Sequence, residues 1–126
     1  MLAAIAHESQ ACPKPTVAVA PSEPYVTRGP TEVVVGIYVQ GGALRPGCGG
    51  APVYGPDGGT VTLRAASGRV VARQTLRGTG QLFVLHVAAG RYTISARRAG
   101  GVTLAPVAVT VRRGRTVRRD VFEDVP

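Results

Sequence analysis

Few residues in this 126-residue chain belong to the types that carry acid–base, nucleophilic or metal chemistry. His7 lies in a Pro-rich lead, and His86 stands alone in a run of β-forming residues. No pair of His, Cys, Asp or Glu has metal-ligand spacing on one element, so a zinc site is not predicted. Glu123 and Asp124 are adjacent and would point to opposite faces of a strand, which is poor geometry for paired acid–base work. The sequence therefore predicts no enzyme, no catalytic residue, no cofactor and no metal.

The two cysteines, Cys12 and Cys48, can form one disulfide or remain free thiols. A bridge would fasten the Pro-rich lead to a Gly/Pro-rich loop, and loop-closure entropy puts its contribution at roughly 3–4 kcal/mol. Lipidation of Cys12 is a third alternative. Ala11 and the tether after Cys12 resemble the pattern of bacterial lipoproteins, whereas Ser9 stands where an aliphatic residue is usual.

Arginine dominates the charge of the chain. The formal net charge is +8, and Lys14 is the only lysine. Basic proteins bind nucleic acid or anionic polymers when the charge is clustered. Six arginines are spread over successive predicted strands, which favours a solvated basic face: Arg64, Arg69, Arg73, Arg77, Arg91 and Arg97.

The densest basic cluster lies near the C-terminus: Arg112, Arg113, Arg115, Arg118 and Arg119. We expect it to be the contact for phosphate or an anionic cell-wall polymer, with binding that weakens as salt rises. Nucleic acid is disfavoured because aromatic side chains do not interleave with these arginines. Carbohydrate is the other binding alternative, although the chain has no Trp on which a sugar could stack. Tyr54, in the Gly/Pro loop, is the candidate ligand residue; otherwise it packs against its own loop.

Short β-strands must position these residues. Residues 59–98 hold four runs in which apolar and polar side chains alternate, as in a sheet with one buried face. Glycines at 68, 78, 80 and 90 stand between the runs, where tight turns need positive φ. Thr31 to Gln40 is apolar on both faces near its middle, so it is predicted to be central or covered. The predicted strands are 31–40, 60–66, 69–77, 81–88, 91–98, 107–111 and 115–122.

The last two predicted strands are joined by a hairpin turn at Arg113–Gly114. Arg119 shares its parity with Val117 and Val121, which is typical of an edge strand with an inward-pointing charge. Seven short strands predict an all-β, seven-stranded Greek-key β-sandwich, with a small SH3-like barrel as the alternative. We expect a disordered Pro-rich tether or signal remnant at 1–31, the domain at 32–126, and a loop without strands at 41–59. The longest apolar stretch, Val33–Val39, is far shorter than the roughly 18 residues of a membrane span.

The block from G-T-V-T-L through G-x2-F-x-L to G-R-Y-T-I, followed by V-x-V-x-V-x2-G-R-T, resembles the carboxypeptidase regulatory-like domain. This domain is a prealbumin-like (transthyretin-like) sandwich, and the similarity covers roughly residues 32–123. Thr79 departs from the pattern, since the family usually has an acidic residue before this glycine. The matching residues are Gly68, Gly80, Phe83, Leu85, Gly90, Tyr92, Val109, Val111 and Gly114.

The resemblance implies a non-catalytic, extracytoplasmic module with a structural or adhesive role. Two relatives of the fold fit poorly. The hydroxyisourate hydrolase carries paired histidines and a Tyr-Arg-Gly-Ser tail, whereas this chain ends Glu-Asp-Val-Pro. The adhesin B-type domain needs a Lys–Asn or Lys–Asp crosslink, and this chain has no asparagine. We expect a secreted or surface-tethered protein of a GC-rich bacterium, with a signal upstream of Met1. The sequence does not identify its partner; the alternative function is a module that binds a carbohydrate or an anionic polymer through the Gly/Pro loop and the basic last hairpin.

Overall fold

The computed structural model describes residues 25–41 and 53–125, which form β-strands without a helix. Over those residues the chain has eleven strands: β1 (Tyr25–Arg28), β2 (Glu32–Val35), β3 (Ile37–Gly41), β4 (Val53–Asp57), β5 (Gly59–Ala65), β6 (Val70–Leu76), β7 (Phe83–His86), β8 (Gly90–Arg98), β9 (Val107–Val111), β10 (Arg115–Arg118) and β11 (Val121–Val125). The prediction of an all-β protein is therefore confirmed. The predicted count of seven strands is not.

The strands form three sheets. Sheet A has the order β1-β10-β2-β7, sheet B the order β11-β3-β4, and sheet C the order β6-β5-β8-β9. One apolar core collects side chains from all three, including Val33 of sheet A, Ile37 of sheet B and Ile94 of sheet C, each with no exposed area. Burial follows the alternation in the sequence: on β7, Phe83 and Leu85 are buried while Val84 and His86 are exposed. On strands with this alternation, the period-two pattern therefore determines which face packs into the core.

The chain passes directly from sheet A to sheet B at two points, from β2 to β3 and from β10 to β11. The parallel register of β10 on β2 pairs Val117 with Val33, and the same offset continues between β11 and β3, where Val121 pairs with Ile37. At the junction, the Asp120 carboxylate accepts a hydrogen bond from the backbone N–H of Gly36 at 3.0 Å. The two predicted strands 31–40 and 115–122 are thus each divided in two at this junction.

Two further strands lie in segments that were predicted to be without strands. Tyr25–Arg28, in the predicted tether, pairs with β10 and has all four residues exposed. Val53–Asp57, in the predicted loop, pairs with β3. Neither segment shows the alternating burial of a half-buried strand, so each depends on a partner strand distant in sequence. Residues 1–24 and 42–52, with Cys12, Cys48 and His7, lie outside the described residues.

The predicted hairpin at Arg113–Gly114 is wrong as a pairing, although the chain does turn there. Gly114 has a φ of 70° and the N–H of Arg115 bonds to the carbonyl of Arg112 at 3.1 Å. However, β9 belongs to sheet C and β10 to sheet A. The predicted edge position of residues 115–122 is wrong for β10, which lies between β1 and β2, and confirmed for β11, which lies at an edge of sheet B. Turn residues indicate that the chain reverses, but they do not specify which sheet the next strand joins.

Candidate functional site

The outer face of sheet C carries alternating arginine and hydroxyl side chains. Because Val61 and Leu63 of β5 point into the core, Thr60, Thr62 and Arg64 take the opposite face. The registers place Thr62 between Arg73 of β6 and Ser95 of β8, and Thr60 between Thr75 of β6 and Arg97 of β8. Three adjacent strands therefore contribute to one polar surface.

Two adjoining hollows lie on this face, and we call them together the basic groove. One has a volume of about 570 Å³ and is lined by Arg64, Arg73 and Arg97 among hydroxyl side chains. The other, of about 500 Å³, adds Arg77 and Arg98 and shares Thr60, Thr75 and Arg97 with the first. Among the residues that the structure describes, no carboxylate and no aromatic side chain lines either hollow. Such a surface offers hydrogen-bond donors and positive charge to an anion.

Hydrogen bonds hold parts of the basic groove in place. Arg73 donates through Nε to Thr62 Oγ1 at 3.2 Å, and Arg64 donates through Nη1 to the carbonyl of Gly68 at 3.0 Å. The hydroxyls of Thr60 and Thr75 are 2.9 Å apart. Each bond to arginine engages one of five N–H donors, so the same guanidinium retains donors for a ligand. Fixing a long side chain beforehand also lowers the entropic cost of binding.

The carboxylates that could neutralise these arginines lie elsewhere. Residues 25–41 and 53–125 contain thirteen arginines against five carboxylates. The ion pairs found there join Arg98 to Asp57 and Glu123, and Arg118 to Asp120. All three of these carboxylates belong to the part of the fold formed by sheets A and B. Of the arginines that line the basic groove, Arg98 is therefore balanced by carboxylates, whereas Arg64, Arg73, Arg77 and Arg97 have no ion pair within the described residues.

The predicted anion cluster does not form one exposed surface. Arg112 and Arg113 are exposed, Arg115 and Arg119 are half-buried, and Arg118 donates through Nε to Asp120 Oδ1 at 3.1 Å. Arg118 also donates through Nη2 to the Tyr38 hydroxyl at 2.8 Å. Burial disfavours its charged form, but the hydrogen bond and negative charge of Asp120 outweigh burial and raise the pKa of Arg118. Arg118 is a structural residue in this arrangement.

Tyr38, on β3, is fully buried, and its ring stacks on Phe122 with centroids 5.7 Å apart. Burial and the neighbouring Asp120 carboxylate raise the pKa of Tyr38, and Arg118 opposes them. Tyr54, on β4, is 38% exposed, and Tyr25, on β1, is 55% exposed. The exposed tyrosines therefore lie on sheets A and B, away from the basic groove.

His86 lies on the outer face of sheet A, with Nδ1 3.4 Å from Glu32 Oε2. Thr116 donates to the other oxygen of this carboxylate at 3.3 Å. In the part of the chain that the structure describes, no group of three or more His, Cys, Asp or Glu residues could hold a metal ion. Nor does any helix there have the length and hydropathy to span a membrane.

The sequence identifies the arginines of the basic groove, but it does not show that they lie close together. Each arginine alternates with apolar residues on its own strand, and this pattern predicts a dispersed, solvated face. Only the strand order β6-β5-β8 brings Arg73, Arg64 and Arg97 together. Arg69 and Arg91 are exposed and line neither hollow. No known family model matches the chain, and no curated protein shows significant similarity to it.

Proposed function

We propose that this chain is a non-catalytic β-sandwich module that binds an anionic polymer through the basic groove. The observation that carries the proposal is the gathering of Arg64, Arg73, Arg77 and Arg97 on one face, where no carboxylate of residues 25–41 or 53–125 lines either hollow. Arginine stays protonated at physiological pH and presents a fork of donors that suits carboxylate and phosphate. These properties favour anion binding over proton transfer.

The proposed architecture is a prealbumin-like, Greek-key sandwich of the carboxypeptidase regulatory-like kind. Sheet C would form one layer, and sheets A and B the other. Support comes from the single core between them and from two residues of the resemblance. Phe83 is fully buried, and Tyr92 packs against the core while its hydroxyl donates to the carbonyl of Ala88 at 2.7 Å. An adhesive role outside the cytoplasm, at a bacterial surface, follows from the resemblance and belongs to the same proposal.

The test is salt-dependent retention of the full chain on immobilised dextran sulfate. A groove variant replaces Arg64, Arg73 and Arg97 with Gln, and a matched control replaces Arg112, Arg113 and Arg115 with Gln. Both lose three charges. Each lost contact lowers the slope of log K against log salt by about 0.7, so the groove variant should lose about 2 in slope.

We expect the control variant to stay near the parent slope. Circular dichroism and thermal unfolding establish that both variants are folded. If the two variants lose equal slope, total charge binds the polymer and the groove is not a site. If only the control variant loses retention, the exposed arginines at 112–115 are the site. No retention of the parent would leave a spacer without a ligand.

A further inference from the structure

We infer that the ligand is a linear, hydroxyl-rich acidic glycan that lies along strand β5. This inference rests on the proposed function and specifies its class of ligand. It combines the position of each arginine relative to β5, the hydroxyl side chains between them, and the absence of aromatic side chains from the groove lining in the described part of the chain.

The arginines advance along β5 in a zigzag. Arg97 on β8 lies opposite Thr60, Arg73 on β6 lies opposite Thr62, and Arg64 is the next outward residue of β5 itself. Arg77 follows β6 one outward step before the level of Thr60. Outward residues on a strand recur about every 7 Å, so four arginines span about 20 Å along the strand. This spacing suits an extended polymer that carries an anionic group at successive steps.

The ridge between the arginines carries hydroxyls rather than rings. Proteins that bind single-stranded nucleic acid without sequence preference stack bases on aromatic side chains, and no described residue of the groove lining is aromatic. Hydroxyl side chains instead supply both donors and acceptors, as the hydroxyl groups of a glycan require. The members are Thr60, Thr62, Thr75, Ser95 and Thr103. The chemistry of the surface therefore favours an acidic glycan over a nucleic acid.

The experiment measures equilibrium binding of the full chain to three probes at fixed salt: dextran sulfate, neutral dextran of equal length, and oligo(dT) matched in charge number to the dextran sulfate. We expect dextran sulfate to bind at least tenfold more tightly than oligo(dT), and neutral dextran to bind weakest. In a length series of sulfated oligosaccharides, affinity should rise until the ligand spans about 20 Å, and longer oligosaccharides should then show no further increase in affinity per binding site.

A variant with Ser95→Ala and Thr103→Val separates hydroxyl recognition from charge. It keeps every arginine, so the salt slope should stay that of the parent while dextran sulfate binds about three- to tenfold more weakly. Tighter or equal binding of oligo(dT), or no effect of this variant, would overturn the glycan assignment and leave polyanion binding intact. Equal binding of neutral dextran, or no binding of any probe, would overturn the proposed function as well.

Discussion

Replacing Asp120 with Ala should destabilise this fold strongly, because the Asp120 side chain is a buried acceptor at the junction of sheets A and B. Its carboxylate has no exposed area, and it accepts from the Gly36 N–H at 3.0 Å and from Arg118 Nε at 3.1 Å. These bonds lie where two strands pass from sheet A to sheet B. Removing the carboxylate would leave a backbone donor and a guanidinium without their acceptor.

The magnitude follows from the burial of both partners. Removing one member of a buried ion pair costs about 3–5 kcal/mol, because the other charge is left uncompensated. The Arg118 side chain is 26% exposed, so water can partly replace its lost partner. We therefore expect a loss at the lower end, about 3 kcal/mol. Asp120→Asn retains an acceptor for Gly36 and should cost less, about 1–2 kcal/mol.

Urea unfolding followed by far-ultraviolet circular dichroism measures these differences in the free energy of unfolding. In a thermal scan, Asp120→Ala should lower Tm by roughly 12–24 °C. Asp124→Ala is the matched control, since Asp124 lies on β11 and is exposed. That substitution should change the free energy of unfolding by no more than about 0.5 kcal/mol. If Asp120→Ala is no more harmful than Asp124→Ala, the junction does not stabilise the fold as argued.

Two other predictions concern the same junction. Gly36→Ala would place a Cβ 2.5 Å from Cε2 of Tyr38 and 2.9 Å from Oδ1 of Asp120. We therefore expect the free energy of unfolding, measured in urea, to fall by about 1–3 kcal/mol. A smaller loss would show that the Tyr38 ring can shift. The pKa of Tyr38 is raised above 10.0 in the folded protein, so its contribution is complete below pH 10.0 and is lost as pH rises through the folded value. Urea midpoints at about pH 9 and pH 11 should fall more in the parent than in Tyr38→Phe, and equal falls would refute this assignment.

How much of the fold the sequence could predict depended on what each signal measures. Alternation reports burial of one face, so it located β5 through β9 to within a few residues. It could not locate β1, whose four residues are all exposed and which exists through its pairing with β10. Nor could it show that β7 leaves sheet C, because the glycines at 78 and 80 indicate a turn in either topology.

The same reasoning explains the candidate site. A dense run of arginines, such as 112–119, is visible in the sequence, but the alternation and pairing of strands place its members in different environments. Arg118 becomes a partner of Asp120, whereas Arg112 remains exposed. Arginines 24 residues apart, Arg73 and Arg97, instead line one hollow because their strands flank β5. Proximity of charge in this fold follows strand order rather than sequence distance.

Two consecutive arginines separate the contribution of charge to binding from its contribution to stability. Arg98 lines only the second hollow, donates to Glu123 at 3.0 and 3.3 Å and lies 3.8 Å from Asp57, whereas Arg97 lines both hollows and has no carboxylate partner in the described residues. Because the charge of Arg98 is already paired, Arg98→Gln should cost about 1–2 kcal/mol of unfolding free energy and change the salt slope of binding less than Arg97→Gln does. Arg97→Gln should leave stability within about 0.5 kcal/mol of the parent and lower the salt slope of binding. If Arg97→Gln destabilises the protein as much as Arg98→Gln, the groove arginines support the fold and their clustering is no evidence for a ligand.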